Sequence, residues 1–185
     1  QMPITFEPID PPIEFRTATH KLPIFRSRDK TLEVFCAIPG APQKSLRAFF
    51  ATQKRVADIL WPIFDQSDRL PPFSAQGLGW HLKRAYQYPT LIPFLNRSLS
   101  SVLQRYQLCD FQPFVDYCNA ISQITIQVRS DEAEAVFALA TLDYPFRGTG
   151  HIHGGLGELS TAMLKAIEQL GGEFRMACRV RALQR

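Results

Sequence analysis

Hydrophobic positions along this chain first recur at alternate residues, then at helical spacing, and alternate again at the end. Ile13-Glu14-Phe15-Arg16-Thr17-Ala18 alternates, and Leu22-Pro23-Ile24-Phe25-Arg26 follows a polar turn at His20-Lys21. Leu32 to Ile38 comes next, after the turn signal Ser27-Arg28-Asp29-Lys30. Short β-prone runs at hairpin spacing predict an antiparallel meander of strands over 13–38. Pro23 has no N–H to give a ladder, so its strand belongs at an edge.

Pro39-Gly40-Ala41-Pro42 ends that pattern, and the period lengthens. Leu46, Phe49, Phe50, Val56, Ala57, Leu60, Trp61 and Phe64 share one helical face, with Lys44, Arg47, Lys54, Arg55 and Asp58 off it. Residues 66–76 read as a loop around Pro71-Pro72, and 79–108 as helix split in two by Pro89 and Pro93. A further helix is expected over about 112–124. Asp131-Glu132-Ala133-Glu134 opens another, its acids suiting the positive end of the helix dipole. The predicted helices therefore extend from about 44 to 143.

The tail has the clearest pattern. Gly154-Gly155-Leu156-Gly157 precedes Leu159, Met163, Ile167 and Leu170 at helical spacing, and Gly171-Gly172 supplies a left-handed stop. From Glu173 to Leu183 the chain alternates, with Phe174, Met176, Cys178, Val180 and Ala182 on one side and Arg175, Arg179 and Arg181 on the other. A helix leading into a strand is half of a βαβ unit. Taken together the pattern predicts an α+β fold, an antiparallel or mixed sheet covered by several helices over 1–150. A glycine turn, helix and strand follow over 151–185.

Composition narrows this picture. The 185 residues are 45% hydrophobic, enough for a real core, and include 14 phenylalanines and 14 prolines. Large apolar side chains in a frequently interrupted chain suit either an aromatic core or an apolar cleft. The net charge of +4 is mild and the cations are spread along the chain, which argues against nucleic acid as a partner. Cys36, Cys109, Cys118 and Cys178 lie far apart among apolar residues, as reduced thiols of an intracellular protein would. No apolar run is long enough to span a bilayer, and Gln1-Met2-Pro3-Ile4 resembles neither a signal peptide nor a domain start.

Candidate chemistry is thin when read from spacing alone. The dinucleotide fingerprint needs G-x-G-x-x-G after a strand; Gly155 and Gly157 fit, but Ser160 occupies the third glycine's place. His151 and His153 point the same way in an extended chain, yet only Glu158 lies near enough to join them on a metal. His20 and His81 stand alone in polar surroundings. No G-x-S-x-G occurs, no cysteine has an activating base beside it, and Asp10, Asp110, Asp116 and Asp143 read as caps or surface groups. Between Trp80 and Tyr106, apolar side chains mix with His81, Lys83, Arg84, Arg97 and Arg105. This is the make-up of helices lying on a membrane or of amphipathic helices over a core.

The tail resembles a segment of the flavin-dependent amine oxidase superfamily, in which an extended stretch enters a glycine pair, a helix, a second glycine pair and a flavin-domain strand. The matching residues are His151 to Leu159, the helix to Leu170, Gly171-Gly172 and Arg179-Val180-Arg181-Ala182-Leu183. Phe111 to Asp116, Ile121-Ser122-Gln123, Ser130 to Ala135, and Glu7 to Pro11 are similar to carotenoid desaturases of the C-3',4' type and their isomerase relatives, within the phytoene desaturase-like family. The resemblance implies that 1–150 is a substrate domain forming an apolar tunnel for a polyene. Residues 151–185 would then return to the flavin domain. It implies FAD as the cofactor of the full-length protein, held poorly by this stretch, with Val180 contacting the adenine end through its backbone. The implied activity is desaturation by hydride transfer to flavin, or flavin-supported cis–trans isomerisation, at the cytoplasmic side of a membrane surface. An amine or porphyrinogen oxidase segment and a non-catalytic lipid-binding module remain the alternatives.

Overall fold

The structure is a computed structural model that describes residues 4–183. It shows an α+β fold, mainly helical, with small antiparallel ladders. Strand β2 (Ile13–Arg16) pairs with β3 (Lys21–Ile24), Ile13 opposite Ile24 and Arg16 opposite Lys21. The turn between them closes through the Thr17 N–H donating to the His20 carbonyl at 2.9 Å. Alternation works as expected in β3, where Leu22 and Ile24 are buried. Pro23 is tolerated because a two-stranded ladder is edge throughout.

The expected third strand over 32–38 is instead helix α1 (Arg28–Cys36). Ser27 is its N-cap, accepting from the Lys30 N–H at 3.3 Å, and Asp29 sits in the first turn. What reads as a turn between strands is thus a helix start. Thr31, Leu32, Phe35 and Cys36, the buried residues, follow helical spacing.

Helix α2 (Gln43–Phe64) carries the predicted stripe and buries Leu46, Phe49, Phe50, Val56, Ala57 and Leu60. The predicted split of 79–108 falls into more pieces than expected. Helix α3 (Ala75–Arg84) is capped by Ser74, a 3-10 stretch runs over Ala85–Phe94 through both prolines, and α4 (Leu99–Arg105) is capped by Ser98. The 3-10 geometry is what remains where Pro89 and Pro93 remove successive N–H donors. Helix α5 (Gln112–Ile126) follows. Helix α6 (Ala135–Thr141) starts from Glu134, whose carboxylate accepts the Phe137 N–H at 3.2 Å.

The core of this part is aromatic. Phe114 meets Phe35 and Phe49 edge-on at 5.1 and 5.2 Å, and Tyr117 packs on Phe35 at 5.2 Å. Such pairs add about 1 kcal/mol each to the area they bury. The phenylalanine content is therefore spent largely on a closed core. The room left between Phe49, Phe50, Phe114, Tyr117 and Phe146 is about 10 Å³, space for one water and far too little for a polyene.

The chain divides into two compact units, Asp10–Gly148 and the remainder. In the second, β1 (Phe6–Pro8) pairs antiparallel with β4 (Gly150–Ile152), and helix α8 (Leu156–Gln169) follows the glycine turn. A short helix α7 (Tyr144–Arg147) closes the first unit. The strand expected over 173–183 does not form, and every residue there is exposed. Alternation alone does not make a strand. A ladder partner must take up the backbone N–H and carbonyl groups, and none pairs with this stretch among the described residues.

Candidate functional site

Apolar side chains point outward along one continuous stretch of the first unit. Leu78 (52% exposed) and Leu82 (70%) lie one turn apart on the outer face of α3, followed by Tyr86 (76%), Ile92 (64%) and Leu95 (52%), with Phe73 preceding them. Helix α3 is thus amphipathic in the reverse sense, apolar outward. Its inner side is held by polar and aromatic contacts. Gly77 presses on the preceding 3-10 turn (Ser67–Arg69), where an added Cβ would lie 2.0 Å from the Asp68 carbonyl oxygen.

His81 fixes the same segment. Its Nε2 lies 2.9 Å from the Arg69 carbonyl and so carries the proton, which leaves Nδ1 to accept from the Tyr88 hydroxyl. Burial pushes the Tyr88 phenol up, keeping it a donor. Phe73 meets the imidazole edge-on at 5.1 Å, and the Arg69 and Arg84 guanidiniums stand 4.3 and 4.7 Å from the Trp80 ring centre. The polar surroundings expected for His81 are an aromatic cage, and its role is to lock α3 onto its neighbours.

Two adjoining clefts share Pro93, Phe94 and Arg105. One, of about 230 Å³, adds Thr52, Arg55 and Tyr106; the other, of about 210 Å³, adds Arg97 and Ser101. Arg55 donates to the Thr52 hydroxyl at 2.9 Å, and that hydroxyl lies 2.6 Å from the Tyr106 phenol. No carboxylate lines either cleft. In the sequence Arg97 and Arg105 fall in one cationic stretch, whereas Arg55 stands only as a polar residue off the α2 stripe, far away in the chain, and folding brings it beside Arg105. The signal that was available is charge asymmetry: no Asp or Glu occurs from Arg69 to Cys109, against Arg69, Lys83, Arg84, Arg97 and Arg105.

Inside the unit, Asp143 stands at the N-cap position of α7, as a capping acid would, but its side chain makes no cap hydrogen bond and is instead the buried ion-pair partner of Arg28. Gln53 completes the cluster, accepting from Arg28 Nε at 3.2 Å and donating to the Leu139 carbonyl at 3.0 Å and to Asp143 at 3.3 Å. Burial pushes the Arg28 guanidinium below its usual value, while Asp58 and Asp29 pull it back. Phe146 covers it at 4.8 Å. This cluster locks α1 and α2 to the start of α7. Of the other acids, Asp10 accepts from the Arg26 N–H at 2.9 Å, Asp116 from the Gln112 side chain at 2.7 Å, and Asp110 is exposed.

In the second unit, Gly154 and Gly155 have φ of +84° and +86°, and Gly155 opens α8 with ψ 179°. His151 lies within strand β4, and His153 follows it. His151 and His153 are exposed, and no trio of potential metal ligands gathers around them among the described residues. Val180 is 74% exposed on the unpaired stretch, so it is not the inward-facing strand residue expected. Among the described residues no strand frames Val180. Cys36 and Cys118 are buried as expected, whereas Cys109 and Cys178 are exposed. Comparison with known protein families, curated proteins and solved structures finds no match for this chain.

Proposed function

We propose that this chain is the substrate-side part of an FAD-dependent oxidoreductase acting on carotenoid or related isoprenoid polyenes, working as a peripheral protein on the cytoplasmic face of a membrane. The supporting observation is the order β4, Gly154-Gly155, α8, Gly171, with positive φ at each of these glycines. It parallels the segment by which the resembled enzymes pass from substrate domain to flavin domain. The redox chemistry belongs to a flavin held by other residues of the full-length protein. This chain's own contribution is to meet a lipid-borne substrate with an apolar surface and to keep water from it. The closed core of Asp10–Gly148 directs that contact to the outer apolar residues of α3 and the 3-10 stretch.

The non-catalytic lipid-binding reading is favoured by the same exposed side chains, and one experiment separates the two. The chain is expressed in its full coding context, loaded with FAD, and given lycopene or phytoene in liposomes. Conversion of the polyene, followed by its absorption spectrum, is the expected outcome. Polyene retention without flavin binding or turnover would leave only the lipid-binding module.

A further inference from the structure

The paired arginine clefts and the outward apolar run lie in the same unit: Pro93 and Phe94, which line both clefts, stand in the chain between the outward Ile92 and Leu95, and Tyr86 lines a further cleft with Arg55. We propose that they form one docking site for an anionic phospholipid bilayer. Arg55, Arg97 and Arg105 receive the lipid phosphates, and Leu78, Leu82 and Tyr86 enter the boundary between headgroups and acyl chains.

Charge carries the choice of partner. A stretch from Arg69 to Cys109 without a single acid is unusual in a chain holding 17 acids, and it coincides with the outward apolar residues. Asp58 lines a neighbouring cleft with Arg55 and Tyr86, and Lys54 pairs with that carboxylate. Another protein surface would be met by mixed charge; a sheet of lipid phosphates is met mainly by cations. Guanidiniums match phosphate through paired N–H donors. Thr52, Ser101 and the Tyr106 phenol line the same clefts and supply neutral hydrogen-bonding groups beside the guanidiniums. An amphipathic element whose apolar face points away from its own core, with cations beside it, has the character of an interfacial helix. The inference rests on the peripheral-membrane part of the proposed function and names the lipid class it needs. It fails separately, because vesicle binding is read without polyene or flavin.

The test uses the full chain and vesicle flotation, with phosphatidylcholine alone and with phosphatidylglycerol added to about a third. Binding is expected only to the anionic vesicles and should fall steeply between low and high salt. Replacing Arg55→Gln and Arg105→Gln together should weaken it roughly 25-fold, about five-fold per cation. Leu78→Ser with Leu82→Ser should weaken it about ten-fold or more while leaving the circular dichroism spectrum unchanged, since both side chains are exposed in the folded chain. Glycerol 1-phosphate, the soluble headgroup, should compete poorly. Equal binding to neutral vesicles, no loss in the arginine pair, tight binding of soluble glycerol phosphate without vesicles, or a change from dimer to monomer in the leucine variants would each overturn the proposal.

Discussion

Arg28, Gln53 and Asp143 show how a single position changes meaning between sequence and fold. Gln53 falls on the stripe formed by Leu46, Phe49, Phe50, Val56 and Ala57, so its burial was legible. Its partners, from α1 and the chain before α7, were not. Removing one member of a buried pair strands the other charge. Asp143→Ala should therefore cost about 3 kcal/mol in urea denaturation, the lower end of such losses because Arg28 keeps 17% of its side chain exposed. The thiols give a second measurement. Burial raises the pKa of Cys36 and Cys118 and also that of Cys109, the last with Asp110 adding to it. A raised thiol pKa means less thiolate at a given pH. With a thiol-disulfide reagent at pH 8, Cys178 and Cys109 should react in the folded chain, Cys109 the more slowly than its exposure suggests and faster as pH rises. Cys36 and Cys118 should react only after unfolding. Equal fast reaction at all four positions would contradict this burial pattern.

At the scale of elements, glycine decides two of them. Gly155 combines φ +86° with ψ 179°, a region open in practice only to glycine. Gly155→Ala should cost about 1–3 kcal/mol, seen as faster amide exchange in α8 while α2 is unchanged. Gly77 is needed for a different reason, the close approach of α3 to the Asp68 carbonyl. Gly77→Ala has to displace α3 from the 3-10 turn, so it should weaken the hydrogen bond from His81 to the Arg69 carbonyl and the stacking of Arg69 on Trp80, seen as a change in Trp80 fluorescence, despite alanine's better helix propensity. The glycine pairs were readable as a turn and a stop in the sequence. The role of Gly77 was not, because its constraint is a carbonyl brought near only by folding.

Across the whole molecule, the units Asp10–Gly148 and the remainder differ in how much apolar surface they bury. Phe35, Phe49, Phe114, Tyr117 and Leu139 are nearly inaccessible in the first, whereas Leu156, Met163, Leu170, Met176 and Val180 are exposed in the second. Buried contacts set local stability. Brief trypsin treatment should cut after Arg175, Arg179 and Arg181 well before any site in Asp10–Gly148, as mass spectrometry would show. Early cleavage within α2 would overturn this ordering.

Local chemistry in the sequence was sufficient for the α+β class, the α2 stripe, the Glu134 helix start, the glycine turn into α8 and the acid-free run from Arg69 to Cys109, because each depends on residues close together in the chain. Tertiary structure alone decided the rest. Residues 32–36 form helix because that spacing lets Leu32 and Phe35 reach the aromatic core, and residues 173–183 form no strand because no partner strand among the described residues satisfies their backbone. Asp143 is paired, Arg55 joins Arg105, and Leu78 and Leu82 face outward because positions distant in the chain fix which side of each element is covered.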